Sequence, residues 1–520
     1  MPMRLLSLLL VVCSATLLAF AHRSELDTAP PDRTRPGAWT ETQLRTLTLA
    51  QQIGQLFAVR ARGVFQSVDD PDYRELVRLV EQFQVGGVIF FQGDPYSQAM
   101  LANELQRRSR LPLLIAQDTE WGVAMRVRRT TSFPRAMAIG ATGNPDYAYA
   151  VGYVTAREAR ALGVHQLYAP VADVNNNPMN PIINVRAFGE DPLQVATMVR
   201  AFVRGVQDAG AIATAKHFPG HGDTSIDSHS DLPVLRFDRK RLDTLELVPF
   251  RAAIKAGVQS IMTGHLALPR LDPTPNLPAS LSRRITHELL REELGFDGLV
   301  VTDALEMQGV TKHFGVGEAA VRALEAGADM LLLSEDVEAA RSAILQAVAQ
   351  GRLSRARIEA SVRRVLLAKE RLGLHRERLV DLNAIPYVVG IAPHQALSQT
   401  IARASLTLLR NEGNLLPLPD VPATPRRLQV IILSDSDDPA TGRFFVQTLR
   451  EVAPDDRIAS RLLDVRSHPD DYRAALEAAA RADVVLVPAY LFVRSGTGRI
   501  RLPERQRTFL DALIAQGRPV

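Results

Sequence analysis

The chain has 520 residues, of which 46% are hydrophobic and 23% are charged. These values are typical of a soluble globular protein and exclude a largely disordered chain. Lysine and arginine (61) exceed aspartate and glutamate (57) by only four. Because both signs are spread along the chain, nucleic acid is not expected to be a partner. The length predicts two domains.

The first 21 residues, MPMRLLSLLLVVCSATLLAFA, have the features of a secretory signal peptide. Arg4 precedes an apolar run, and Ala19-Phe20-Ala21 has the small-x-small pattern of a cleavage site. We therefore expect export to the periplasm or the extracellular space, with no stable membrane span in the mature protein. A membrane anchor is the alternative. The single cysteine, Cys13, lies in this segment, so the mature chain would contain no disulfide.

After a spacer at 22–38, apolar runs alternate with amphipathic segments between residues 39 and 375. Parallel strands buried on both faces give such runs, and eight of them predict an α/β fold with a (β/α)8 barrel. An open doubly wound sheet is the alternative, but it usually has a glycine-rich phosphate turn after its first strand. The runs are IGQLFAV, VGGVIFF, LPLLIAQD, HQLYAPVADV, AIATAKHF, SIMTGHL, LVVTDAL and ADMLLLS.

A second, smaller α/β domain is predicted at 396–520, after a linker at 376–395. Its strands are expected in ASLTLLRN, RRLQVIILSD and ADVVLVPAYL, and its helices in FFVQTLREVA and DYRAALEAAARA. The chain stops at LIAQGRPV, where another strand would begin, so this domain is expected to be incomplete.

Polar residues close most of the barrel strands. One aspartate after a strand is usually a helix N-cap. Several that converge on the carboxyl ends of the strands predict a site for a polar ligand, because active sites of this fold lie at that face. These residues are Asp118, Asp173, Lys216, His217, His265, Asp303 and Glu335.

The loop KHFPGHGDTSIDSHSDLP (216–233) is dense in histidine and aspartate. A metal site is disfavoured, because Pro219 and Gly220 prevent a helix that would bring His217 and His221 onto one face. Asp227 and His229 are instead predicted to pair, since a carboxylate bound to one ring nitrogen raises the basicity of the other. His229 would then be a general acid and base, and Asp303 a nucleophile. We predict no metal and no cofactor.

The same loop, with NNNPMNPIINVRAFGED and ELLREELGFDGLVVTDALEMQGV, resembles glycoside hydrolase family 3 over residues 40–375, and in particular its bacterial β-N-acetylglucosaminidases. The resemblance implies that Asp303 is the nucleophile and that Asp227 with His229 is the acid/base dyad. The stretch DTEWGVAMR departs from the family's usual Gly-Gly-Arg by having Trp121 and Val123. The resemblance further implies five residues that hold the sugar hydroxyls: Asp118, Arg126, Arg186, Lys216 and His217.

The sequence thus predicts a retaining exo-β-N-acetylglucosaminidase that acts by double displacement on peptidoglycan fragments or chitin oligosaccharides. Its expected partner is a small carbohydrate. Three alternatives stay open: a β-glucosidase or xylosidase of the same family, a phosphorylase, and a non-catalytic sugar-binding protein. Phosphorolysis is an alternative because a histidine, unlike a carboxylate, does not repel phosphate.

Overall fold

The computed structural model describes residues 37–228, 230–418, 424–491 and 501–517. The predicted signal peptide (1–21), most of the spacer (22–36) and His229 lie outside the described residues. Among the helices of the described ranges, none is long and apolar enough to cross a membrane.

Eight parallel strands form one sheet, in which the first seven lie side by side in sequence order and the eighth pairs with the first. A parallel bridge between Val301 and Met330 joins the two ends, which makes the sheet a nearly closed barrel. The predicted (β/α)8 fold is thereby confirmed. The strands are β1 (Phe57–Gly63), β2 (Gly87–Gly93), β3 (Leu114–Gln117), β4 (Gln166–Leu167), β5 (Ile212–Phe218), β6 (Ser260–Thr263), β7 (Leu299–Thr302) and β8 (Leu331–Leu332).

Each predicted run overlaps one of these strands, but the first is shifted. Ile53 and Gly54 belong to a short helix whose N-cap, Thr48, forms a capping box with Gln51. The capping box starts this helix at Leu49, and because the helix continues to Gly54, the strand begins only at Phe57.

An Asx-Pro dipeptide starts four of the helices that surround the barrel. In each, the aspartate or asparagine side chain accepts a hydrogen bond from a first-turn N–H, and the proline occupies the first helical position, where no N–H is needed. The caps are Asp70, Asp94, Asn144 and Asp191. The larger helices around the barrel are α1 (Ala38–Thr46), α2 (Leu49–Gly54), α3 (Pro71–Glu81), α4 (Pro95–Arg108), α5 (Ala136–Ala141), α6 (Pro145–Ala161), α7 (Pro192–Asp208), α8 (Arg239–Thr244), α9 (Leu247–Lys255), α10 (Arg284–Glu293, with π-type hydrogen bonds), α11 (Gln308–Thr311), α12 (Val316–Ala326), α13 (Val337–Ala349) and α14 (Arg355–Arg371).

The stretch predicted as a linker packs against the barrel. Asn103 of α4 exchanges two hydrogen bonds with the backbone of Val380, at 2.8 and 2.9 Å. Glu158 of α6 accepts hydrogen bonds from Gly390 and His394. The following helix, α15 (Ala392–Ala404), buries Ile401 in the same core. Contacts with the barrel thus continue beyond residue 395, and the domain boundaries stay predictions.

The smaller α/β region has a parallel sheet with β9 in the middle. Two of its predicted strands and both predicted helices are present, whereas ASLTLLRN forms no strand and leaves Leu406, Leu408 and Leu409 exposed. RIASRLL, which lacks a continuous apolar run, forms the edge strand β10 instead. The elements are β9 (Arg427–Ser434), α16 (Arg443–Val452), β10 (Arg457–Leu463), α17 (Pro469–Ala480), β11 (Val484–Leu486), β12 (Ala489–Tyr490) and α18 (Glu504–Ile514).

Candidate active site

A cavity of about 410 Å³ opens at the carboxyl ends of the barrel strands. Six of the predicted site residues line it: Asp118, Arg126, Arg186, Lys216, His217 and Asp303. They come from positions far apart in the sequence and meet because parallel strands end at the same face of the barrel.

A network of charged side chains covers one wall of the cavity. Lys216 Nζ, at the end of β5, lies 2.8 Å from Asp118 Oδ1 and 2.9 Å from Glu120 Oε1. Arg126 binds the second oxygen of Asp118 at 2.6 Å. Arg186 forms a bidentate pair with Glu120, at 2.8 and 2.9 Å. We call these five residues the mouth cluster. They offer fixed donors and acceptors of the kind that sugar hydroxyls bind.

Three residues of the mouth cluster, Asp118, Glu120 and Lys216, stay charged at neutral pH. Burial alone would raise the pKa of Asp118, but Lys216 and Arg126 outweigh it and lower this pKa to about 2. Burial also opposes ionisation of Glu120, yet Arg186 and Lys216 hold its pKa well below the usual range. The two carboxylates in turn raise the pKa of Lys216 despite its burial.

Glu120 was not singled out from the sequence as a site residue. It is the second acid of the Asp-Thr-Glu stretch that follows β3, and this pairing was the available signal. Its side chain is 4% exposed and binds both Lys216 and Arg186. Glu120 therefore positions two of the predicted sugar-binding cations.

Asp173 orients the two histidines at the start of the dense loop. It is fully buried, accepts from the backbone of His221 at 2.7 Å and lies 2.8 Å from His217 Nδ1. This contact fixes the His217 ring, which lines the cavity. The His221 ring nitrogens lie 2.8 Å from Thr224 Oγ1 and 3.0 Å from Ser228 Oγ. Burial lowers the pKa of His221 to about 4, so this ring is neutral at physiological pH.

Asp303 follows β7 and lines the same cavity as the mouth cluster. Its backbone N–H donates to Thr263 in β6 at 2.9 Å, which extends the sheet by one residue. One carboxylate oxygen accepts from the N–H of Ala304 at 2.8 Å. Burial, followed by the charges of Asp118 and Asp303, raises the pKa of Tyr168 well above its ordinary value. The two carboxylates therefore act on the same small volume.

Asp227 lies in a turn of the same loop and is 4% exposed. Its carbonyl accepts from the N–H groups of Ser230 and Asp231, at 2.9 and 3.1 Å. Ser228 lines the cavity, and its carbonyl accepts from Gly309. The turn is thus held at the active-site mouth, while the pairing of Asp227 with His229 stays a prediction because His229 lies outside the described residues.

Two other polar residues at strand ends do not line the cavity. His265 is buried beneath it, and its ring nitrogens lie 2.7 Å from Ser280 Oγ and 2.9 Å from the carbonyl of Ala304. His265 thereby supports the residue that follows Asp303. Glu335 is exposed in a separate cleft beside the mouth.

The family comparison matches residues 48–368 to the glycosyl hydrolase family 3 N terminal domain. A β-N-acetylglucosaminidase/β-glucosidase of Cellulomonas fimi is 33% identical over 389 residues, which are 73% of this chain and 68% of that protein. The structure of a family 3 β-N-acetylglucosaminidase from Paenibacillus sp. str. FPU-7 has a TM-score of 0.76 and 37% identity, covering 85% of each chain. A β-glucoside phosphorylase, BglX, has a TM-score of 0.80 and 25% identity, covering 92% of this chain and 85% of its own. The matched family model spans more than half of the chain and coincides with the barrel, so the protein belongs to glycosyl hydrolase family 3 and is a glycoside hydrolase.

Proposed function

We propose that the protein is a retaining exo-β-N-acetylglucosaminidase that removes terminal β-linked N-acetylglucosamine from peptidoglycan fragments or chitin oligosaccharides. The observation that carries this proposal is the presence of Asp303 in the same cavity as the mouth cluster, because a nucleophile and sugar-binding groups are required together. Relatives named for this activity add support.

In the first step, an Asp303 oxygen bonds to the anomeric carbon as the bond to the leaving oxygen breaks. Asp227 stabilises the protonated form of His229, and His229 gives its proton to that oxygen. In the second step, His229 takes a proton from water, the water oxygen bonds to the anomeric carbon, and the ester to Asp303 breaks. The sugar leaves with its configuration retained. Lys216, Arg186 and their carboxylates would hold the sugar during both steps.

A panel of aryl glycosides tests the substrate class. We expect hydrolysis of the aryl β-N-acetylglucosaminide to exceed that of the glucoside and xyloside. The product should be free N-acetylglucosamine with or without added phosphate. Formation of a sugar 1-phosphate would favour the phosphorylase instead, the second candidate that the BglX likeness supports. Binding without turnover would favour a sugar-binding protein.

Covalent trapping tests the nucleophile. A 5-fluoro N-acetylglucosaminyl fluoride should label Asp303, and Asp303→Asn should lose nearly all turnover while keeping the melting temperature, since an amide cannot form the ester. A label on another residue would remove Asp303 from this role.

Leaving-group dependence tests the dyad. His229→Ala should lose about 10²- to 10⁴-fold on a disaccharide but much less in the glycosylation step with an activated nitrophenyl substrate. An early burst of nitrophenol should appear, because water activation is slowed as well. Asp227→Ala should give a milder form of this pattern. Equal losses on both substrates without a burst would assign the acid/base to another residue.

We further propose that the protein is exported, on the evidence of Arg4, the apolar run and Ala19-Phe20-Ala21. The mature N-terminus should then be at or near His22. N-terminal sequencing that found Met1 on the exported protein would favour an anchor.

A further inference from the structure

The loop after β3 brings Trp121 and Arg135 together, and the family resemblance assigns no role to this contact. Gly122 has φ of +95°, and a Cβ there would lie 2.4 Å from the carbonyl oxygen of Thr131. Only glycine permits this close approach. The N–H of Phe133 then donates to the carbonyl of Trp121 at 2.9 Å. The chain therefore folds back on itself, and Arg135 comes to lie beside Trp121.

Arg135 stacks on the indole of Trp121. Its guanidinium carbon lies 3.2 Å from the ring centroid, and both side chains line the cavity. The contact is a close cation–π interaction, which fixes the plane of the guanidinium. A guanidinium that stacks through its face keeps its N–H donors around its edge, where a carboxylate can bind two of them.

Arg135 differs from the other cations that line the cavity. Lys216, Arg126 and Arg186 are paired within the mouth cluster, and Arg60 is paired with Glu306. Arg135 has no ion pair with any residue in the described part of the chain. Among the lysine and arginine residues that line the cavity, Arg135 is thus the one without an ion-pair partner in the part of the chain that the structure describes.

The position of Arg135 relates it to the leaving group. Lys216 of the mouth cluster is 3% exposed and marks the inner end of the cavity, whereas Arg135 is exposed at the outer rim of the cavity. An exo-acting enzyme holds the terminal sugar inside, beside the nucleophile, so the outer rim faces the sugar that departs. An unpaired guanidinium there favours a negatively charged leaving group over a neutral one of the same size.

We propose that Arg135 is a specificity-determining residue that binds a carboxylate on the leaving sugar, and that Trp121 is the residue that positions it. The proposal rests on the proposed exo-N-acetylglucosaminidase activity and narrows its substrate class to acidic aglycones. Between the two polymers named above, it selects fragments whose second sugar bears an acid over chitin oligosaccharides.

A matched pair of disaccharides tests the proposal. In both, N-acetylglucosamine is β-1,4-linked to a second sugar, which is N-acetylglucosamine in one and N-acetylmuramic acid in the other. The two differ only in the lactyl ether, which adds the carboxylate. For the wild-type protein, kcat/KM should be at least about tenfold higher for the acidic disaccharide. Its methyl ester should lose that preference, which separates charge from size without any variant.

Substitutions then assign the preference to the stacked pair. In Arg135→Gln, the ratio of the two kcat/KM values should fall to near one, and Arg135→Lys should be intermediate, because it keeps the charge but not the planar fork. Trp121→Leu should lower the ratio a few-fold, mainly through KM for the acidic substrate. Arg128→Gln is the matched control: Arg128 is exposed on the same loop and does not line the cavity. Its ratio should equal that of the wild type.

Equal wild-type kcat/KM values for the two disaccharides would overturn the inference, and so would a preference that Arg135→Gln retains. If inorganic phosphate accelerated cleavage of the disaccharides and Arg135→Gln removed this acceleration, the inference would also be overturned, because Arg135 would then bind phosphate and not a carboxylate of the leaving sugar. Hydrolysis of an aryl N-acetylglucosaminide, which has no carboxylate, reports the proposed function separately. If the wild-type protein does not hydrolyse the aryl N-acetylglucosaminide, the proposed activity is wrong. If it does, but shows no preference for the acidic disaccharide, only the proposed role of Arg135 is wrong.

Discussion

Two buried clusters of carboxylates and cations lie at opposite ends of the barrel. At the carboxyl ends of the strands is the mouth cluster, built around Asp118 and Glu120. At the amino end, just before β8, Asp329 is fully buried among Arg291, Arg357 and Arg364. We call these four residues the base cluster.

The clusters resemble each other electrostatically. Burial opposes ionisation of Asp329 as it does that of Asp118, and neighbouring cations outweigh this effect in both cases and lower the pKa. A carboxylate with a lowered pKa and several cationic neighbours is therefore not a sufficient sign of an active site, since structural ion networks produce the same shift.

The clusters differ in what else their polar atoms contact. Asp329 accepts from Val300 N–H at 3.0 Å and from Ser361 Oγ at 2.6 Å. Arg357 donates to the carbonyls of Leu324 and Ala328, at 2.9 and 2.7 Å. Protein groups thus surround Asp329 and tie α14 to the strands. The mouth cluster faces a cavity instead, so its charged groups can interact with a bound ligand.

The largest expected effect is on activity at the mouth. Lys216→Met should lower kcat/KM for an aryl N-acetylglucosaminide by about 10³-fold (~4 kcal/mol), because Lys216 supports both carboxylates and faces the substrate. The melting temperature should change less, since Asp118 keeps Arg126 and Glu120 keeps Arg186. Steady-state kinetics and thermal unfolding measure the two effects.

Lys240→Met provides the control, since Lys240 is an exposed residue of α8. It should keep both activity and stability. A loss below tenfold in Lys216→Met would mean that the mouth cluster, like the base cluster, is mainly structural.

The next effect is on stability at the base. Asp329→Asn should lower the free energy of unfolding by roughly 3 kcal/mol, because it leaves three arginines without their shared carboxylate. Activity per folded molecule should stay at the wild-type level. Chemical denaturation and active-site titration check the two parts.

Asp243→Asn is the matched change at the surface. Asp243 pairs with Arg239 and Arg251 but is 34% exposed, so this change should cost less than about 1 kcal/mol. If Asp329→Asn instead lost activity with its stability intact, the contrast between the two ends of the barrel would be wrong.

The barrel was predictable because its strands are buried on both faces and read as continuous apolar runs. The polar residues that end those runs, Asp118, Lys216 and Asp303, could be found for the same reason. Arg126 and Arg186 lie in loops without a periodic pattern, so only the family resemblance pointed to them. Glu120 was missed because its role depends on cations that are distant in sequence.

Other features depend on tertiary contacts that a local pattern does not encode. ASLTLLRN has strand-like composition, but none of the strands in the described ranges pairs with it. His265 ends a strand as Asp303 does, yet its ring turns to Ser280 and supports the loop from below. The stacking of Arg135 on Trp121 follows from the fold of one loop around Gly122, which composition alone does not predict.

The smallest expected effect concerns a buried cation that has neither a cavity nor a carboxylate. Lys369 of α14 is fully buried, and the acceptor described for its Nζ is the amide oxygen of Gln55, at 2.6 Å. Burial lowers its pKa from 10.5 to about 7. The unfolded chain keeps this proton up to about pH 10.5, whereas the folded chain loses it near pH 7. The unfolded state therefore binds more protons between these values, and this residue makes stability rise with pH across that window.

Lys369→Met should abolish that slope. Below pH 7 the variant should be more stable by roughly 1–2 kcal/mol, since the desolvation cost of the charge is removed but the hydrogen bond to Gln55 is lost. Near pH 10 the lost hydrogen bond should leave it no more stable than the wild type. Urea unfolding at several pH values measures the difference, with Lys255→Met, an exposed residue of α9, as the control that should keep the wild-type slope. Parallel pH profiles for Lys369→Met and the wild type would show that the lysine stays charged in the folded chain. A buried cation in this fold would then not need a carboxylate, and the ion pairs of the mouth and base clusters would not distinguish the two ends of the barrel.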